Sequence, residues 1–249
     1  MIVRFLGPLV ILGIWWWGSG DGFVSRGTLP SPAEVASTFW EMATDGTLWE
    51  QVRSSLVRAG TGLLIGGSIG LFFGVLSGIS VRCEELFDST FQMVRTVPFL
   101  ALVPLFIVWM GIDETPKIAL VALATTFPLY INTFSGVRNV DRRVVEAART
   151  YGLGGPRLVW EVVIPLALPS ILAGLRFATG ISVLALIAAE QVNATSGIGY
   201  LMNQAQSFQE TDVMVVCVLI YAALGLLGDL AVRLIEHAAM PWRAQVSIR

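Results

Sequence analysis

Histidine is almost absent from this 249-residue chain, where His237 stands alone. With no second histidine and no cysteine near it, no metal-ligand cluster is suggested, and a Ser/His/Asp constellation lacks a placed general base. Cys83 and Cys217 are isolated from each other and from His237, so no disulfide framework is suggested and both read as packing residues. Lysine is equally scarce. Lys117 is the only one, and a phosphate-cradling G-x-x-x-x-G-K-[ST] loop needs a lysine beside its glycines, so the chain is expected to hydrolyse no ATP itself. Charge is low overall, at 14% of residues with a formal net charge of -2, and no basic run is interleaved with aromatics. Nucleic-acid binding is thereby set aside.

What the chain has instead is apolar length. Hydrophobic residues make up 55% and the mean hydropathy is +0.72, so a lipid bilayer is the expected solvent. A spanning helix takes about 20 largely apolar residues. Six candidates follow, at about 2–18, 56–79, 86–111, 116–136, 166–189 and 213–235, in one all-α, polytopic membrane domain covering 1–249. The first has Arg4 before its apolar run but no small-x-small cleavage site after it, so an uncleaved span is expected rather than a signal peptide. Trp15-Trp16-Trp17 suits an interfacial aromatic belt or ordinary helix packing. The third candidate carries Pro98 and Pro104, which predict a kink or break.

Orientation follows from the basic residues. With the N-terminus in the cytoplasm, Arg4, Arg82, Arg95, Arg138, Arg142, Arg143, Arg149, Arg157, Arg233, Arg243 and Arg249 lie inside, and only Arg26, Arg53 and Lys117 lie outside. Both termini are then cytoplasmic. The outer segment 19–50 contains Leu29-Pro30-Ser31-Pro32 and an expected surface helix over Ala33–Met42. The other, Asn193–Phe208, is too polar to span and is expected to dip into or lie along the interface. Gly62, Gly66, Gly70, Gly74 and Gly78 recur every fourth residue and mark one helix face, for close packing or for a sliding contact during gating.

Residues 137–166 form the most basic and longest cytoplasmic segment. Asp141 can cap a helix starting at Arg142, Val144, Val145 and Ala148 give it an apolar stripe, and Gly152 stops it. A second short helix over Pro156–Val163 is expected to run into Pro165, making a compact knob. Glu146-Ala147-Ala148, then Gly152, then Val162-Val163-Ile164-Pro165 resembles the EAA loop of bacterial ATP-binding-cassette (ABC) importer permeases, E-A-A-x3-G-x9-I-x-L-P, with Val162 for Ile and Ile164 for Leu. The likeness extends along most of the chain to aliphatic sulfonate permeases, and more loosely to those for taurine, nitrate and related small anions. It is carried by Leu29–Val35, Val97–Pro104, Trp109–Glu114, Tyr130–Thr133 and Asn193–Leu201. This resemblance implies a type I ABC-importer permease that fits its Glu146 helix into a cleft on a separate cytoplasmic ATPase. It further implies a second permease copy, an extracytoplasmic substrate-binding protein, residence in the bacterial inner membrane and no cofactor in this chain, ATP and Mg belonging to the ATPase.

Polar residues within the spans are few, and each reads in two ways. Arg176, about two turns into the fifth span, is a pathway arginine or a side chain snorkelling to the interface. Glu190, at the outer end of that span, is expected close to water, as an interface marker or as a gate or docking contact. Asn132, Thr125 and Thr126 flank Pro128 and face a pathway or bond between helices, while Asp229 is expected to pair with Arg233. A membrane enzyme would need acids, histidines or a nucleophile gathered at one depth. A channel or secondary transporter leaves the loop motif unexplained.

Overall fold

A computed structural model describes residues 3–20 and 28–241; Ile2, Arg26, Arg243 and Arg249 of the expectations above lie outside them. All regular structure among the described residues is helical: α1 (Val3–Gly20), α2 (Pro32–Thr44), α3 (Thr47–Ile79), α4 (Val81–Arg95), α5 (Val103–Met110), α6 (Glu114–Arg138), α7 (Arg142–Thr150), α8 (Gly155–Leu158), α9 (Ile164–Asn193), α10 (Ile198–Phe208) and α11 (Thr211–Ala239). A 3-10 turn, Phe99–Leu102, precedes α5, and a π-turn, Val159–Val163, joins α8 to α9.

Among the described residues four helices are long and apolar enough to cross a bilayer: α3, α6, the continuous stretch Gly155–Val192 and α11. Counting α4 with the Phe99–Met110 segment as one broken span makes five, and α1 contributes a shorter apolar stretch, Val10–Ser19. The break is a bend of 83° at Pro98, a residue with no N–H to donate, which also pushes the residue before it out of the α region. The start expected near Leu86 moves to Val81, because the Ser80 hydroxyl accepts from the Cys83 amide at 3.4 Å and caps the helix there.

The chain separates into two compact units, Met1–Val57 with Glu190–Ala223 and Arg58–Ala189 with Leu224–Arg249. In the first, α2 opens on a capping box in which Ser31 and Glu34 satisfy each other's backbone amides at 3.2 and 2.8 Å. The Trp15 indole donates to the Pro30 carbonyl at 3.0 Å, and Thr38 donates to Asp212 at 2.7 Å, while Val35, Met42 and Leu48 are buried. Between α2 and α3 the Thr47 hydroxyl and amide both donate to Asp45, which holds that carboxyl below its ordinary range.

The second unit is built on α6, whose Leu120, Val121, Ala124, Thr125, Leu129, Tyr130 and Thr133 are buried. All five glycines of the every-fourth pattern on α3 lie against it. A Cβ added at Gly62 would stand 2.6 Å from Val121 Cβ, at Gly66 2.0 Å from the Ala122 carbonyl oxygen, and at Gly70 2.4 Å from that of Thr126. At Gly74 it would stand 2.7 Å from Thr133 Cβ, and at Gly78 2.5 Å from Val137 Cγ1. Absence of side chains brings the two backbones together, and the approach adds interhelical hydrogen bonds from Thr126 Oγ1 to Gly66 O at 3.2 Å and Thr125 Oγ1 to Gly62 O at 3.5 Å. Aromatic contacts then hold α4 in place, with Phe73 against Phe87 at 4.9 Å between centroids and Phe91 stacked on Tyr130 at 4.2 Å.

Candidate functional site

The segment between α6 and α9 presents a short, strongly amphipathic helix. Asp141 accepts from the Arg143 amide at 2.9 Å and starts α7. Gly152 ends it at φ 87°, where its own N–H reaches Arg149 O at 2.9 Å and the Leu153 N–H reaches Ala148 O at 3.1 Å. Only a residue free to adopt that backbone closes the helix in this way. Half-buried Val145 packs on the cluster of Val137, Val163, Ala167 and Ile171, so α7 is held from beneath. Glu146 and Ala147 are exposed, with Ala148 half-buried behind them and Arg142, Arg143 and Arg149 alongside in solvent. The aromatic Tyr151 next to the turn is 88% exposed, a feature that sequence reading passed over although its position beside the glycine signals it.

Beyond Gly152 the structure departs from the expectation of a separate short helix. Backbone runs without interruption from Gly155 to Asn193, straight through Pro165. Proline inside a helix removes a hydrogen bond and crowds the carbonyl four residues back. Here the turn immediately before it is widened: the Ile164 amide donates to Val159 O in the i to i+5 manner, and Pro165 sits half-buried just past that π-turn. Arg157 and Glu161 brace the widened turn at 2.7 Å. The knob is therefore continuous with a 30-residue helix, about 45 Å long, and any force on the π-turn bears directly on α9.

Two clusters of charge lie elsewhere. In the second unit Arg58 is 1% exposed and forms a two-pronged ion pair with Glu114, one prong at 2.8 Å, and the buried Lys117 ammonium adds to the same carboxylate at 3.2 Å. Lys117 is 5% exposed, while the Glu114 carboxylate it shares with Arg58 stays half exposed. Also in this unit, Arg176 Nε lies 3.2 Å from Asp229 and its Nη2 lies 2.7 Å from Glu236, while Arg233 holds the second oxygen of Asp229 at 2.7 Å. Asn132 is turned onto its own helix, its amide donating to Pro128 O at 2.8 Å, and marks a tight crossing with α9, where a Cβ at Gly174 would meet Asn132 Cβ at 2.6 Å.

Within the first unit Glu190 is 1% exposed, which corrects the expectation that it lies close to water. Its carboxylate accepts from the Ser55 hydroxyl at 2.8 Å and from the Gly199 amide at 2.9 Å. The Ile198 amide donates to Ser55 at 2.9 Å and the Gly197 amide to Gln51 at 2.6 Å, so side chains from other helices satisfy the first turn of α10. A helix N-terminus favours a carboxylate, and this gives Glu190 its buried environment. No group of three or more metal-ligating side chains occurs among the described residues.

Residues 66–240 match the family of binding-protein-dependent transport system inner membrane components. The chain is 49% identical to the "Putative aliphatic sulfonates transport permease protein" of Escherichia coli (strain K12), over 94% of its length and 89% of that protein. It is 42% identical to the protein of the same description in Bacillus subtilis (strain 168), over 95% and 86%. With the taurine transport system permease protein of Escherichia coli (strain K12) it shares 33% identity over 95% and 88%. Among solved structures, an inward-facing MetNI methionine ABC transporter superposes with a TM-score of 0.62 at 19% identity, over 78% of this chain and 98% of that one. An amino acid ABC transporter with histidines superposes at 0.65 and 18%, over 80% and 97%. At such identities the superpositions establish the fold.

Proposed function

The chain belongs to the family of binding-protein-dependent transport system inner membrane components, and from that premise we propose that it is the pathway-forming subunit of an importer of aliphatic sulfonates. It is an ABC permease of the inner membrane, a class that works with an ATPase and a substrate-binding protein. The finer reading is of six spans: α1, α3, α4 with α5, α6, the stretch from α8 through α9, and α11. Both termini face the cytoplasm, in line with the arginines flanking α7. A second copy of the chain completes the pathway, the external binding protein delivers cargo, and the ATPase binds ATP and Mg and hydrolyses the nucleotide. Sulfonate as cargo is supported by the two relatives described as sulfonate permeases, at 49% and 42% identity against 33% for the taurine permease.

Coupling enters through Glu146, Ala147, Ala148, Gly152 and Pro165. The observation that carries it is the uninterrupted helix from Gly155 through Pro165 into α9, a lever that begins three residues after the turn closing the docking helix α7. ATP and loaded binding protein supply the energy by favouring different conformations, since the permease performs no bond chemistry. Replacing Glu146 by Arg leaves an exposed helix folded and reverses the charge offered to the ATPase. Co-purification of the ATPase and ATP-dependent uptake are both expected to fall by about tenfold or more, the scale of one lost charge-assisted contact. Retention of both at wild-type levels would overturn the assignment and favour a channel or secondary transporter.

A further inference from the structure

We propose that Arg95 and the cavity it lines hold the cargo within the membrane, the sulfonate oxygens on the guanidinium and the alkyl chain on the apolar wall. This rests on the sulfonate reading above. The cavity belongs to the second unit, measures about 270 Å³ and lies in the elbow of the broken span, with Arg95 and Phe99 on either side of the 83° bend. Leu123, Phe127 and Ile131 of α6 and Ile181 of α9 line it further. Its depth follows from the way α4 runs antiparallel to α6. Glu84 lies 3.0 Å from Arg138, Asp88 accepts from the Tyr130 hydroxyl at 3.1 Å, and Phe91 stacks on Tyr130 at 4.2 Å and meets Phe127 at 6.2 Å. One turn further on, Arg95 shares its cavity with Leu123, nine residues from the start of α6, and with Ile131, seven from its end. Those positions are about 10 Å or more from either end of a helix of spanning length. The charge count alone assigns Arg95 to the cytoplasm, whereas these contacts set it within the span.

A charge at this depth is costly unless it has a partner or faces a water-filled cavity. Arg58, Arg138, Arg157, Arg176 and Arg233 each hold a carboxylate. Arg95 is exposed and makes no ion pair among the described residues, so the cavity is what accommodates its charge. A basic residue in the last turn of a helix is favoured by the helix dipole, but that alone places no cavity beside it. Arg95 is the one charged side chain among the described residues lining this wall, and the rest is apolar. The combination matches an aliphatic sulfonate, an oxyanion that a planar guanidinium grips through two oxygens, joined to a chain that prefers an apolar surface. The volume lies just below that of sites for drug-sized ligands, as a solute of few heavy atoms requires. A phospholipid carries its phosphate at the membrane surface, out of reach of an arginine at this depth. The larger cavity of this unit, about 610 Å³, shares Leu123 and Phe127 but has no charged residue in its described wall, and offers an acid no partner. Sites at breaks in spanning helices near mid-membrane suit alternating access, and a single guanidinium binds weakly enough to release.

The test uses the assembled importer in proteoliposomes, with its ATPase and binding protein, and reads ATP hydrolysed per sulfonate imported, for ethanesulfonate and for pentanesulfonate. Wild-type uptake of either tests the sulfonate reading by itself; its absence removes that reading and this proposal together. Given uptake, Arg95→Gln is expected to raise the ratio about tenfold for both solutes and Arg95→Lys, which keeps the charge but loses the fork, about threefold. Ile181→Trp, which fills the wall and leaves Arg95 in place, is expected to raise the ratio for pentanesulfonate about tenfold more than for ethanesulfonate. Arg82→Gln, an exposed arginine in the first turn of the same helix, leaves both ratios unchanged. The lysine and tryptophan variants keep a charge in the cavity and stay informative if the glutamine variant fails to assemble. Equal falls in uptake and hydrolysis would make Arg95 a structural residue, or a lipid anchor if phospholipid is lost from the purified variant, and would overturn the proposal. Unchanged ratios in both Arg95 variants, an equal rise in Arg82→Gln, or no difference between the two solutes in Ile181→Trp would also overturn it.

Discussion

Glycine serves two opposite purposes in this molecule. On α3 it provides space: Gly62, Gly66, Gly70, Gly74 and Gly78 sit in ordinary helical backbone, and a Cβ at any of them would run into α6. Between α7 and α8 it provides conformation: Gly152, at φ 87°, has nothing within 4 Å of where its Cβ would stand. The first use welds two helices along their length. The second turns the chain sharply so that Glu146 is presented on a short helix. Substitutions at the two kinds of site should therefore fail differently, one through collision with a neighbour and the other through local backbone strain.

The largest effect is expected at Gly66. A leucine there would drive its Cβ to within 2.0 Å of a backbone oxygen that has no room to move, and the cost should reach about 3 kcal/mol, at the upper end of overpacking penalties. Thermal unfolding of the detergent-solubilised permease is the measurement, and a midpoint equal to wild type would mean that the α3 to α6 crossing is not close. Gly152→Ala should cost less, about 1 kcal/mol, because alanine is only disfavoured at positive φ. Its consequence should be weaker ATPase association at nearly unchanged thermal stability; a loss as large as that at Gly66 would erase the distinction drawn here. The smallest effect belongs to Gly60, an exposed α3 glycine with nothing within 4 Å of its Cβ position. Gly60→Ala should stabilise by about 0.5–1 kcal/mol through helix propensity alone, and destabilisation would reveal a neighbour pressing on that face.

Legibility in the sequence follows the same division between local and distant causes. Asp141 and Gly152 delimit α7 through contacts within two or three residues of themselves, so the helix could be read directly from the chain. Pro98 likewise foretold the break between α4 and α5. The four-residue glycine period identified a packing face, but its partner could not be read, since α6 carries no complementary period. Nothing near Lys117 in the chain signals that it will be buried beside Arg58, for the Glu114 carboxylate they share reaches Arg58 across 56 residues of sequence. The burial of Glu190 was missed for a related reason: its carboxylate is taken up by the amide of Gly199 and the hydroxyl of Ser55, one from a later helix and one 135 residues earlier.

The amino-acid sequence by itself determined the apolar solvent, the helical class and the two ends of α7, because each depends on composition or on spacing within a few turns. Tertiary structure alone decided which helix the glycine face meets and which charges are sealed. It also decided that α8 is continuous with α9 through a π-turn just before Pro165. Those outcomes depend on which backbones approach closely enough to desolvate a side chain or share a hydrogen bond, and that approach is a property of the packed chain rather than of any local stretch.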